Sequence, residues 1–130
     1  MPLYIKAYLV SLLVFSAIDA LWLGFIAKGL YARSIGFLMR PQPNWTAAVV
    51  FYLLFIGGLV FFAVQPGRSP ESLTAAFLTG AFFGLVTYGT YDLTNLATLK
   101  GWPLSLTLID LAWGAFISGT TTLITRMILK

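Results

Sequence analysis

The chain has 130 residues, of which 59% are hydrophobic and 9% charged. A water-facing domain of this size carries about 25% charged residues, so the polar side chains needed to coat a soluble surface are missing. With no cysteine and no histidine, disulfides, thiol nucleophiles, histidine-ligated haem and the usual zinc ligand sets are excluded as well.

The net charge is +4, from 8 Lys+Arg against 4 Asp+Glu. The basic residues sit mostly at the ends of apolar runs, where anionic headgroups are their natural partners. No basic patch supports nucleic-acid binding. The expected fold class is all-α: an integral membrane four-helix bundle with antiparallel up-down spans, a single transmembrane domain over 1–130, embedded in the lipid bilayer.

Span 1 is expected over Ala7–Ala27, bracketed by Lys6 and Lys28. It is too long for the apolar region of a signal peptide and contains Asp19 and Trp22, so it reads as a retained span. From Lys28 to Trp45 runs the longest connection. There Leu30, Tyr31, Ser34, Phe37 and Leu38 recur at helical spacing, with Arg33 and Arg40 nearby. This suits a short interfacial segment as well as it suits a plain loop.

Span 2 is expected over Thr46–Val64, after Pro41, Pro43 and Asn44 and before Gln65-Pro66-Gly67. Span 3 is expected over Leu73–Leu99. Ser69 to Ser72 forms its capping start, with Pro70 and Glu71 in the first turn. Lys100-Gly101-Trp102 is so short that span 4, expected over Pro103–Thr125 before Arg126 and Lys130, must be the antiparallel neighbour of span 3. Backbone groups in hydrocarbon must bond internally, which makes these runs helices; barrel strands would alternate over about 10 residues.

The Lys+Arg counts tie four to four across the two faces, which leaves orientation open; the flanks of span 1 alone lean towards an external N-terminus. Gly80 and Gly84 form a GxxxG on span 3, and Gly57-Gly58 lie in span 2. Small residues of this kind mark close helix packing, here expected inside one bundle rather than at a dimer face. Trp45, Trp102, Tyr4 and Tyr8 are expected as interfacial belt residues.

Three of the four acids, Asp19, Asp92 and Asp110, fall inside expected spans. A charge near the bilayer centre costs at least about 2.5–3.5 kcal/mol, so such residues mark functional or structurally critical positions. Asp19 precedes Lys28, Asp92 precedes Lys100 and Asp110 follows Lys100 by similar numbers of residues. At about 1.5 Å per residue, all three lie roughly 12–15 Å from one membrane face.

The three acids are therefore expected to face one another in the bundle, with no Lys or Arg at their depth. Three clustered anions cannot all stay ionised; they need shared protons, a bound cation or a ligand with a positive group. Tyr88, Tyr91, Thr94 and Asn95 stand near Asp92, Ser16 and Trp22 near Asp19, and Trp113 follows Asp110. The Tyr, Trp and Asn side chains among them can donate to carboxylates. Asp92, oriented by Tyr88 and Asn95, is the expected centre. Asp-x-x-Trp occurs twice, as Asp19/Trp22 and Asp110/Trp113, each pair on one helix face; internal duplication is one explanation.

The string Tyr88-Gly89-Thr90-Tyr91-Asp92-Leu93-Thr94-Asn95-Leu96-Ala97-Thr98-Leu99-Lys100-Gly101-Trp102-Pro103, with Asp19-Ala20-Leu21-Trp22-Leu23-Gly24, Phe51-Tyr52 and Asp110-Leu111-Ala112-Trp113-Gly114, resembles a family of bacterial membrane proteins known as domain of unknown function 2177. The resemblance covers nearly the whole chain. It implies a small multi-span protein of the bacterial inner membrane with no assigned activity, and it transfers no catalytic residues.

Three functional classes follow. The first is a binding or transport protein whose carboxylates hold a proton, a cation or a lipid-like small molecule; four spans make a small transporter unless it forms a homo-oligomer or joins a larger membrane complex. The second is a structural or assembly subunit. The third is a lipid enzyme using carboxylates as acid and base, although no Gly-x-Ser-x-Gly or phosphate loop is present. A cavity with ordered density beside Asp19, Asp92 and Asp110 favours binding. A dry, fully bonded trio favours structure. A lateral groove with a carboxylate at its mouth favours an enzyme. Cofactors are not specified.

Overall fold

The computed structural model describes residues 2–66 and 72–129. Within them every regular element is helical: α1 (Leu3–Ile26), α2 (Lys28–Ile35), α3 (Trp45–Val64), α4 (Leu73–Thr98) and α5 (Leu104–Ile128), with a tight three-residue turn at Gly36–Leu38 after α2. α1, α3, α4 and α5 are each long and apolar enough to cross a membrane. The shortest, α3 with 20 residues, is about 30 Å long at 1.5 Å per residue, which matches a hydrocarbon core of about 30 Å.

Local chemistry sets the ends. Asn44 opens α3 by accepting the Ala47 N–H on its side chain at 3.1 Å, and Ser72 opens α4 by accepting the Ala75 N–H at 3.1 Å. These bonds satisfy amide donors that a helix start leaves without partners. The expected first-turn residues Pro70 and Glu71 lie outside the described residues. α1 begins earlier than the expected Ala7, because nothing between Pro2 and Ala7 breaks a helix. Likewise α5 continues past Thr125 to Ile128. The turn between α4 and α5 places Gly101 at φ 77°, a left-handed conformation that glycine adopts without steric cost.

The last turns of α1 (Trp22–Ile26) and α3 (Val60–Val64) widen into π-helix. In α1 the Ala27 N–H bonds the Trp22 carbonyl at 2.7 Å, and the fully buried Ala27 is the pivot at which the chain turns into α2. The connection that read equally as loop or helix is thus a helix over Lys28–Ile35 and irregular from residue 39 to residue 44. In α3 the guanidinium of Arg126 donates to the Val64 carbonyl at 2.8 Å and occupies one of the orphan acceptors of that helix end.

Burial follows helical spacing. On α1, Ala7, Ser11, Phe15 and Asp19 are the buried positions, one per turn. α5 is the most enclosed of the four long helices. Outer faces are apolar: Leu13, Leu54, Phe82 and Leu108 are all more than half exposed. This is the surface expected of a bundle solvated by lipid.

α4 and α5 form the tightest pair. A methyl added at Gly84 would overlap the Gly114 carbonyl oxygen, and one at Gly80 would overlap the Thr122 hydroxyl. The GxxxG is therefore an internal seam. On the other side Phe15, Phe55, Ile56, Leu59, Val64 and Ile117 join α1, α3 and α5 in one apolar cluster.

Two belt expectations do not hold. Trp102 is buried, and its indole N–H donates to Thr107 at 3.1 Å, tying the turn to the start of α5. Tyr8 is a strut whose hydroxyl donates to the Leu53 carbonyl of α3 at 2.8 Å. Trp45 and Tyr4 are exposed at helix ends.

Candidate functional site

Asp19, Asp92 and Asp110 are each less than a tenth exposed, and they form a row rather than a triangle. Asp110 is the middle member, in electrostatic contact with Asp19 on one side and Asp92 on the other. The Asp92 and Asp110 carboxyls are close enough to share a hydrogen bond when one of them carries a proton. Without that proton both are acceptors only. Accordingly both Asp92 oxygens, fully enclosed, meet no donor among the described residues. Neither Tyr88 nor Asn95 orients Asp92 as the sequence suggested. Tyr88 instead packs its ring over Gly114 and edge-on against Phe55 at 6.1 Å.

The other two acids are bonded across helices. Asp19 on α1 accepts from the Tyr52 hydroxyl of α3 and from the Trp113 indole of α5 at 3.4 Å. Asp110 on α5 accepts from the Tyr31 hydroxyl of α2 at 2.8 Å, and Trp22 of α1 donates to that same hydroxyl at 3.3 Å. The two Asp-x-x-Trp segments are therefore cross-connected: each tryptophan serves the aspartate of the other segment, directly or through Tyr31. Their indoles stack, with centroids 4.3 Å apart and planes 10° from parallel, a contact that also holds α1 to α5. Burial pushes the Tyr31 phenol up from its ordinary range, which keeps it a donor.

Beside this network lies a cavity of about 530 Å³. Asp19, Asp110 and Trp113 form one wall. Thr87, Tyr88 and Tyr91 come from α4, Phe51 from α3, Leu23 from the π turn of α1, and Tyr31 from α2. Leu23, Phe51 and Tyr91, on three different spans, are each about half exposed, so the cavity opens through the side of the bundle. Among the described residues no Lys or Arg lines it, and no group of three acids converges as a metal ligand set. Asp92 and Asn95 lie outside its lining, and Trp22 reaches it only through its stack on Trp113.

Tyr31 and Tyr52 were not among the sequence candidates. Tyr52 carried a usable signal: it stands seven residues after Trp45, about 10 Å deep by helical rise, close to the aspartate layer. Tyr31 carried none, because its segment could be read as a loop.

Fold and site together define a small bundle of four membrane-length helices that encloses a row of carboxyl groups. The chain belongs to the predicted membrane protein family known as domain of unknown function 2177, whose model matches residues 4–127. No curated protein and no solved structure matches the chain.

Proposed function

We propose that this is a multi-pass protein of the bacterial inner membrane that binds, and in an assembled form transports, a small molecule at an intramembrane carboxylate site. The observation that carries this reading is the cavity of about 530 Å³ walled by Asp19 and Asp110. Its volume falls within the range of about 300–1,000 Å³ typical of small-molecule pockets, and its lining has the usual form of many apolar groups and a few convergent polar ones. A side opening admits ligand from the bilayer.

A purely structural role fits less well. A dry, fully bonded trio would leave no cavity, and among the described residues neither Asp92 oxygen has a donor. An enzyme acting on lipid would need a carboxylate at the mouth. Here the mouth is Leu23, Phe51 and Tyr91, while Asp19 and Asp110 are set back at 7% and 5% exposure.

The test is native mass spectrometry and lipid and metabolite analysis of gently purified protein, wild type beside Asp19→Asn and Asp110→Asn. Asn keeps the size and an acceptor at each position. A species that copurifies with the wild type and is depleted from both folded variants supports the reading. Identical profiles in all three sink it.

A further inference from the structure

We infer that the cavity between Asp19 and Asp110 takes an organic ammonium cation attached to an apolar body, drawn sideways from the bilayer; this rests on the binding reading above and names its ligand class. Charge comes first. The wall carries two carboxyls; among the described residues, Asp92 stands fully buried behind Asp110 with both oxygens unpartnered, and every donor bonded to Asp19 or Asp110 is a neutral phenol or indole. The lining supplies no positive side chain among the described residues.

A hard metal cation is a poor match. Calcium and magnesium take six or more oxygens in a close shell, whereas two of the acids face this space and no three acids converge among the described residues. A proton alone needs no such volume.

The rest of the lining points to a soft, bulky cation. Trp113, Tyr88, Tyr91, Tyr31 and Phe51 are all aromatic. Ring faces attract alkylammonium groups through their quadrupoles, and aromatic cages with a nearby acid recognise this chemistry. The side opening, rimmed by Leu23, Phe51 and Tyr91, leaves an apolar tail in hydrocarbon while the ammonium sits at the carboxyls. The ammonium could be carried by a free lipophilic amine or by the amino head group of a lipid.

The test uses three probes that share an eight-carbon chain and differ in head charge: octyltrimethylammonium, octanol and octanoate. Uptake is measured by equilibrium dialysis into phosphatidylglycerol nanodiscs containing the full chain, with empty discs subtracted. The expected result is saturable binding of octyltrimethylammonium and at least about tenfold weaker binding of the other two. Asp110→Asn should weaken it about thirtyfold or more, the usual scale for removing a buried charge partner. Leu23→Lys, at the half-exposed rim one turn from Asp19, places an internal ammonium in competition and should abolish binding without removing either carboxyl.

Equal binding of all three probes overturns the ammonium inference and leaves the pocket standing. Saturable binding of none overturns the pocket itself. Full binding in Leu23→Lys also overturns the inference. Adding phosphatidylethanolamine to the discs separates the two sources: displacement of the probe supports a lipid head group, and no displacement supports a free amine.

Discussion

Replacing Gly84 by alanine adds one methyl where α4 meets α5. That methyl would overlap the Gly114 carbonyl oxygen and stand 2.5 Å from the Ser118 hydroxyl. Carbon needs about 3.5–4.0 Å from its neighbours and the Gly114 oxygen would stand closer still than the Ser118 hydroxyl, so the helices must part by about 1.5 Å. The obstruction is backbone, which cannot swing aside as a side chain does. Overpacking costs about 1–3 kcal/mol, and the upper end applies here. Alanine returns up to about 1 kcal/mol through its better helix propensity, which leaves a net loss of about 2 kcal/mol.

Gly24 is the control, since a methyl there meets nothing within 4 Å and Gly24→Ala should be neutral or stabilising by up to about 1 kcal/mol. The assay is equilibrium unfolding of the detergent-solubilised protein by titration with sodium dodecyl sulfate, followed by circular dichroism. Equal stability of the two variants would refute the packing argument. The effect should reach the site as well. Asp92 lies two turns along α4 from Gly84, and Asp110 one turn along α5 from Gly114, so parting the seam draws Asp92 away from Asp110 and weakens ligand binding.

Tyr52→Phe removes the hydroxyl that donates to Asp19 and should cost about 1–3 kcal/mol in the same assay, because a buried acceptor loses its partner; wild-type stability in this variant would show that the bond contributes nothing. Trp22→Leu, Trp113→Leu and the double variant form a cycle whose coupling should be about 0.5–1.5 kcal/mol from the stacked indoles, and additive losses would contradict the stack. For Tyr31, burial holds the folded-state phenol above its unfolded value of about 10. Its docking against Asp110 is thus at full strength below that pH and is lost as pH rises through the folded value. Tryptic cleavage at the exposed Arg33 should accelerate at alkaline pH in the wild type after correction for the protease's own profile. In Tyr31→Phe it should be fast throughout, and matching pH profiles in the two proteins would count against the bond.

Much of the architecture was legible from residue order. Four runs of about 20 apolar residues can be satisfied in hydrocarbon only as helices. Asn44 and Ser72 marked starts, and the three-residue connection Lys100–Trp102 made α4 and α5 antiparallel neighbours. The expectation that Asp19, Asp92 and Asp110 share one level came from helical rise alone, since position along a rod needs no knowledge of its neighbours. Trp102 and Tyr8 misled, because the same amphipathic ring that suits a membrane interface also serves as a buried donor; which role it takes depends on what stands opposite.

By itself, then, the sequence determined length, apolarity and the starts of α3 and α4, all of which are properties read along one chain direction. Tertiary structure decided which aspartate meets which donor: Asp92 facing Asp110 with no other partner among the described residues, Trp113 reaching across to Asp19, and Tyr31 entering from the connecting helix to bond Asp110. Those choices depend on how each helix is rotated about its own axis. That rotation is set by contacts between distant residues, above all Gly80 and Gly84 against Gly114, Ser118 and Thr122, where the absence of side chains lets two backbones approach and locks their angle.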